Sequence, residues 1–222
     1  MEITWYGHSC FRLTERGMAT VVTDPYDHRA VGYEPLKLKA DIVTVSHDSP
    51  GHNYLAAVKG EARAITGPGE YEIGGVFITG VQTNGHSRKD GNEPRNTLYV
   101  FDYNGLTVAH LGDLSRVPSQ PEIEALGSVH IALVPVGGGG GLTAAKAAEV
   151  ISLLEPNVVI PMHYATPATG KTQLKLDTLN KFIKEMGLAG VQPQASLKVN
   201  SAANLAEGTH VVVLEYDHSK QE

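Results

Sequence analysis

Short β-branched and aromatic runs, cut at brief intervals by Gly and Pro, dominate the first two-thirds of the chain and predict strands. They fall at residues 3–6, 10–13, 20–23, 42–46, 62–66, 76–81, 97–102, 106–111, 130–135, 158–160 and 211–215. Between two of them lies Tyr103-Asn104-Gly105. Asn-Gly suits the tight turn whose central residues both need φ > 0, so residues 97–102 and 106–111 are expected to pair antiparallel.

A helical period replaces the strand pattern in four places. Ser119, followed three residues on by Glu122, forms a capping box, with Gly127 placed to end the helix. From Thr143 as N-cap, Ala147, Val150, Ile151 and Leu154 recur on one face until Pro156. Leu176, Leu179, Ile183 and Met186 repeat that spacing before Gly187, and residues 54–58 predict a shorter helix ended by Gly60. Helices interspersed among more numerous strands indicate an α/β (α+β) protein of layered sheets covered by helices. No linker or composition shift divides residues 1–222, which are read as one domain.

Composition narrows the function classes. With 41% apolar and 19% charged residues in 222, the chain has material for a core and is not intrinsically disordered. No apolar stretch reaches the roughly 18 residues of a membrane span, and the first residues lack a signal-peptide pattern, so a cytoplasmic protein without membrane attachment is expected. The net charge of −6 argues against a phosphate-backbone footprint and so against a nucleic-acid partner; a small-molecule substrate is expected instead. One cysteine, Cys10, excludes an internal disulfide and any metal site built on several thiolates. Ten histidines remain to be explained.

Four apolar runs end in His or Asp: residues 42–47, 81–86, 108–113 and 158–163, which bring His47, His86, Asp113 and His163 to strand ends. Such residues converge at one sheet edge, and imidazole with carboxylate suits zinc, iron or manganese. His47, His52, His86, Asp113 and His163 are therefore candidate metal ligands for one or two ions. The Gly137–Gly141 run precedes a helix but lacks the Lys-Ser/Thr ending of a nucleotide-binding loop, and is read as a loop bordering the pocket. Gly7-His8-Ser9-Cys10-Phe11 begins like a nucleophile elbow, but Phe11 stands where a second glycine is needed, which argues against a serine hydrolase.

Seven segments in order carry a family resemblance: Trp5 to Phe11, Thr23-Asp24-Pro25, Val43 to Asp48, Pro68 to Glu72, His110 to Leu114, Pro135 to Gly138, and Ile160 to Tyr164. Together they resemble the metallo-β-lactamase fold superfamily, in particular the branch similar to L-ascorbate-phosphate lactonases. The resemblance implies a four-layer αββα sandwich with a metal centre, commonly zinc, at one edge. It implies a metal-activated water attacking an ester, lactone or phosphodiester, and a homo-oligomer.

The family motif His-x-His-x-Asp-His falls on residues 47–52, where His47 and His52 match its outer histidines. Ser49 replaces the second histidine and Gly51 the aspartate. The resemblance then implies His47, His86 and Asp113 at one ion and His52, His163 and the shared Asp113 at the other. Asp113 becomes a catalytic candidate, with Asp48 and Glu70, the latter in a Gly-rich turn, as substitutes for the lost carboxylate. Asp24 is expected to orient a ligand histidine, His8 to support or pack, His110 to be buried away from the metal, and Tyr164 to pack or to donate to substrate. The two missing ligands leave open a second class, a non-catalytic relative that binds a small ligand or a partner protein.

Overall fold

The computed structural model describes residues 1–84 and 95–216. In chain order its elements are β1 (Glu2–Trp5), β2 (Phe11–Thr14), β3 (Val21–Thr23), α1 (His28–Val31), β4 (Leu38–Lys39), β5 (Ile42–Thr44), β6 (Val58–Lys59), β7 (Arg63–Ile65), β8 (Gly69–Ile73), β9 (Val76–Asn84), β10 (Arg95–Tyr103) and β11 (Leu106–His110). There follow α2 (Gln120–Leu126), β12 (Ile131–Pro135), α3 (Ala144–Leu154), β13 (Val158–Met162), α4 (Leu179–Glu185), β14 (Leu197–Lys198) and β15 (His210–Val211).

Two sheets face each other. One has the order β14-β1-β2-β3-β5-β7, the other β15-β13-β12-β11-β10-β9-β8, and β4 pairs β6 separately. The inward residues of the first sheet, Ile3, Trp5, Phe11, Leu13, Val21 and Ile42, join Ile78, Leu98, Val108 and Ile131 of the second in one core. Tyr6, Cys10, Val22 and Val43 point the other way, into a smaller cluster with Val31 of α1, Leu38 and Val58. The central strands β3 and β5 are buried on both faces, whereas β1 and β2 alternate buried with half-buried positions. In the second sheet β12 is buried along its whole length, because Ala144, Ala147, Val150 and Ile151 of α3 and Phe182 of α4 cover its outer side. The αββα sandwich is thus present, with a thin helical cover on the first sheet.

The Asn-Gly hairpin forms as its sequence demands: Asn104 and Gly105 have φ of 54° and 85°, and β10 pairs β11 antiparallel. The helix from Thr143 starts and stops as expected. Four expectations need correction. Residues 54–58 make only one 3-10 turn, at Leu55–Ala57, because Val58 already pairs with Leu38. The helix expected from Leu176 begins at Leu179, since the backbone at Asp177 is bonded to Gly137 and Ala165. Glu70 lies within β8 rather than in a turn, paired with Thr79. Of residues 211–215 only Val211 lies in a strand, the two-residue β15, and Leu214 makes an isolated bridge to Gln194.

Chain direction positions the site. β3 and β5 are parallel in one sheet and β11, β12 and β13 in the other. β1 shares the direction of β3, because each is antiparallel to β2. The carboxyl ends of β1, β3, β5, β11 and β13 lead directly to His8, Asp24, Ser46 and His47, Asp113, and His163.

Candidate metal centre

Three of these residues have left-handed backbones: His8 (φ 51°), Asp24 (φ 41°) and His163 (φ 54°). A non-glycine residue with positive φ is uncommon, and such strain clusters where a site requires it. At His8 the turn is held from both sides. Tyr33 packs so closely over Gly7 that a Cβ there would lie 2.5 Å from the ring. The His8 carbonyl accepts from Trp5 Nε1 at 3.1 Å and from the His163 backbone N–H at 3.1 Å.

The buried Asp24 organises the next layer. Its Oδ1 accepts from the Ser46 backbone N–H at 2.7 Å, and its Oδ2 from the Ser46 hydroxyl at 2.5 Å and from His52 Nδ1 at 2.7 Å. Burial pushes the Asp24 carboxyl up, but His110, His52 and Ser46 outweigh it and hold its pKa at about 2. With the aspartate ionised, the proton of His52 is fixed on Nδ1 and the Nε2 lone pair turns toward the site.

Asp113 is placed by Asn96, whose side-chain carbonyl accepts the Asp113 backbone N–H at 3.0 Å while its amide donates to the Leu111 carbonyl. The two carboxylate oxygens face different histidines. Oδ1 lies 3.8 Å from His163 Nδ1 and Oδ2 lies 4.0 Å from His47 Nε2. Gly141 leaves room for this pose, since a Cβ there would stand 2.6 Å from Oδ1. Among the described residues, ligand atoms converge in two groups that share one histidine: His47, His52 and Asp113, and His8, His52 and His163.

These donors suit a divalent metal. Asp113 Oδ1 and His163 Nδ1 are buried, lack hydrogen-bond partners among the described residues and face one another, which is costly unless a cation lies between them. Burial lowers the pKa of His8, His163 and His47, the last to about 4, with neighbouring histidines adding to the effect at all three. They are therefore neutral near pH 7, the form that coordinates metal.

Of the residues singled out in the sequence, His47, His52, Asp113 and His163 come together. His86 lies outside the described residues. Asp48 is exposed and accepts from Asn53, Glu70 is exposed on β8, and neither belongs to a group of converging ligand atoms among the described residues. His110 is fully buried and bonds the Ser9 carbonyl at 2.9 Å. Tyr164 packs against Trp5 in the core. The residues that sequence reasoning undervalued are His8 and Asn96. His8 carried a signal, a Gly-His pair directly after a strand; Asn96 carried none.

The model of the β-lactamase superfamily domain matches residues 2–163, a span that runs from β1 to His163. The chain belongs to the metallo-β-lactamase superfamily. A superfamily protein from Thermotoga maritima, assigned as a zinc-dependent hydrolase, is 36% identical over 96% of this chain and 97% of its own, with a TM-score of 0.76. A UPF0173 protein of Pyrococcus abyssi is 27% identical over 78% of this chain and 88% of its own. A UPF0173 metal-dependent hydrolase of Thermoplasma acidophilum is 28% identical over 75% and 84%. The matched span includes the strand ends that gather His8, His47, His52, Asp113 and His163.

Proposed function

We propose that this chain is a metal-dependent hydrolase that directs an activated water at an ester, lactone or phosphodiester, with zinc as the metal and manganese or iron as alternatives. The observation that carries the reading is the buried pair Asp113 Oδ1 and His163 Nδ1, unpartnered among the described residues and facing each other across 3.8 Å. The names of the relatives, metal-dependent hydrolase and zinc-dependent hydrolase, agree with it.

His47 and Asp113 Oδ2 on one side, and His52, His163 and Asp113 Oδ1 on the other, would hold the metal. A divalent cation bound there supplies Lewis acidity, which makes a water nucleophilic near neutral pH and steadies charge developing on a substrate oxygen. The protein supplies the rest. Asp24 keeps the His52 Nε2 lone pair directed inward. Asp113 is the only carboxylate in the converging groups among the described residues, so the negative charge that would balance a bound cation comes from it.

Turnover by chelator-treated and metal-reloaded protein on a p-nitrophenyl ester, a γ-lactone and bis(p-nitrophenyl) phosphate tests the reading. Metal-restored hydrolysis of one class, lost in D113A, is expected. Metal uptake without hydrolysis of any of them would favour the non-catalytic binder, the reading suggested by Ser49 and Gly51.

A further inference from the structure

In the proposed metal centre the imidazole of the buried His8 fills the space that a side chain at position 51 would need. His8 Nε2 lies 3.2 Å from His52 Nε2. A Cβ built on Gly51 would stand 2.8 Å from that same His8 Nε2. Gly51 is absent from the positive-φ glycines, so its backbone does not demand glycine; the imidazole of His8 does.

We infer that His8 is itself a metal ligand, completing with His52 and His163 a three-histidine subsite that Gly51 was kept small to admit. This rests on the proposed function and deepens it. Asp24 accepts a hydrogen bond from His52 Nδ1, so Nε2 presents a lone pair to His8, and His163 Nδ1 is buried without a partner among the described residues. The ligand atoms of the three histidines all lie within 4.8 Å of one another. Two nitrogens bound at about 2.0–2.1 Å to a tetrahedral zinc are roughly 3.3–3.4 Å apart, close to the His8–His52 separation. His8 is 3% exposed, its left-handed backbone is clamped by Trp5, His163 and the Gly7–Tyr33 contact, and its ring packs against those of His52 and His163 with centroids 4.8 and 4.2 Å away. Three imidazoles and the Oδ1 of Asp113 then share the work that the motif's aspartate would otherwise do from position 51.

The test is zinc affinity of the full chain, stripped with chelator and titrated in competition with a chromophoric chelator, and the visible spectrum of its cobalt(II) form. H8N is the variant of choice, because asparagine tolerates left-handed backbone. Loss of an oriented ligand should cost more than the ~10–100-fold seen when only an outer partner is removed. H8N should therefore weaken zinc binding by more than about 100-fold and change the cobalt spectrum. G51D should also weaken zinc binding, by driving its new carboxylate against His8. The double variant H8N/G51D should bind more tightly than either single variant, since the carboxylate enters the space His8 leaves. Unchanged zinc affinity in folded H8N would overturn the inference while leaving the proposed function standing, as would a double variant no better than H8N. A wild-type protein that binds no metal would overturn both.

Discussion

His52 Nδ1 donates to Asp24 Oδ2 across 2.7 Å, and Asp24 has no exposed surface. The pair links the strand-end scaffold to the site, because the same carboxylate also holds the Ser46 backbone beside His47. Removing the charge of Asp24 breaks one member of a buried network that cannot re-form with water. D24N should lower stability by about 3 kcal/mol. For a chain of this size that is a fall of roughly 6–12 °C in melting temperature. Zinc affinity should fall ~10–100-fold as His52 loses its orientation. Thermal unfolding and a metal titration read the two effects separately.

Gly141 and Asp113 make the second prediction. A methyl group at position 141 would meet Asp113 Oδ1 at 2.6 Å, and Gly141 has no left-handed backbone to strain. G141A should therefore keep the fold while turning the carboxylate away, lowering metal affinity by at least ~10-fold. G170A, where a Cβ meets nothing within 4 Å, is the control that should leave the titration unchanged.

Much of this was legible in the sequence where short-range chemistry decides. The Asn104-Gly105 turn, the Thr143 cap and the strand ends at His47, Asp113 and His163 follow from local residue types. What escaped depends on contacts distant in sequence. His8 meets His52 across 44 residues, and Asn96 fixes Asp113 through a loop 17 residues on. Glu70 reads as a turn residue because Gly69 and its neighbours suggest one, yet pairing with Thr79 makes it a strand. The helix expected from Leu176 shortens for a similar reason, since the Asp177 backbone is taken by Gly137 and Ala165.

The third prediction concerns the capping box of α2. Glu122 accepts from both terminal nitrogens of Arg116, at 2.8 and 2.6 Å, and from the Ser119 backbone N–H at 2.6 Å. The Arg116 guanidinium, with Ser119, holds its pKa at about 2 against the opposing effect of partial burial. Because the folded pKa lies below the ordinary value of 4.5, the stabilisation is complete above that value and is lost as pH falls through about 2. E122Q should cost about 1–2 kcal/mol at pH 7, from the cap and the ion pair. The difference from wild type should shrink steadily between pH 4.5 and 2. Chemical denaturation along that pH series checks it; a difference that does not change with pH would contradict it.

The central claim is that Asp113 and the histidines around it form a metal centre, and metal content measures it most directly. Protein purified without chelator, analysed by inductively coupled plasma mass spectrometry, should carry at least one equivalent of zinc, manganese or iron. Folded D113A should carry almost none. Wild-type protein that is metal-free, and whose melting temperature does not change when zinc, manganese or iron(II) is added, would contradict the account.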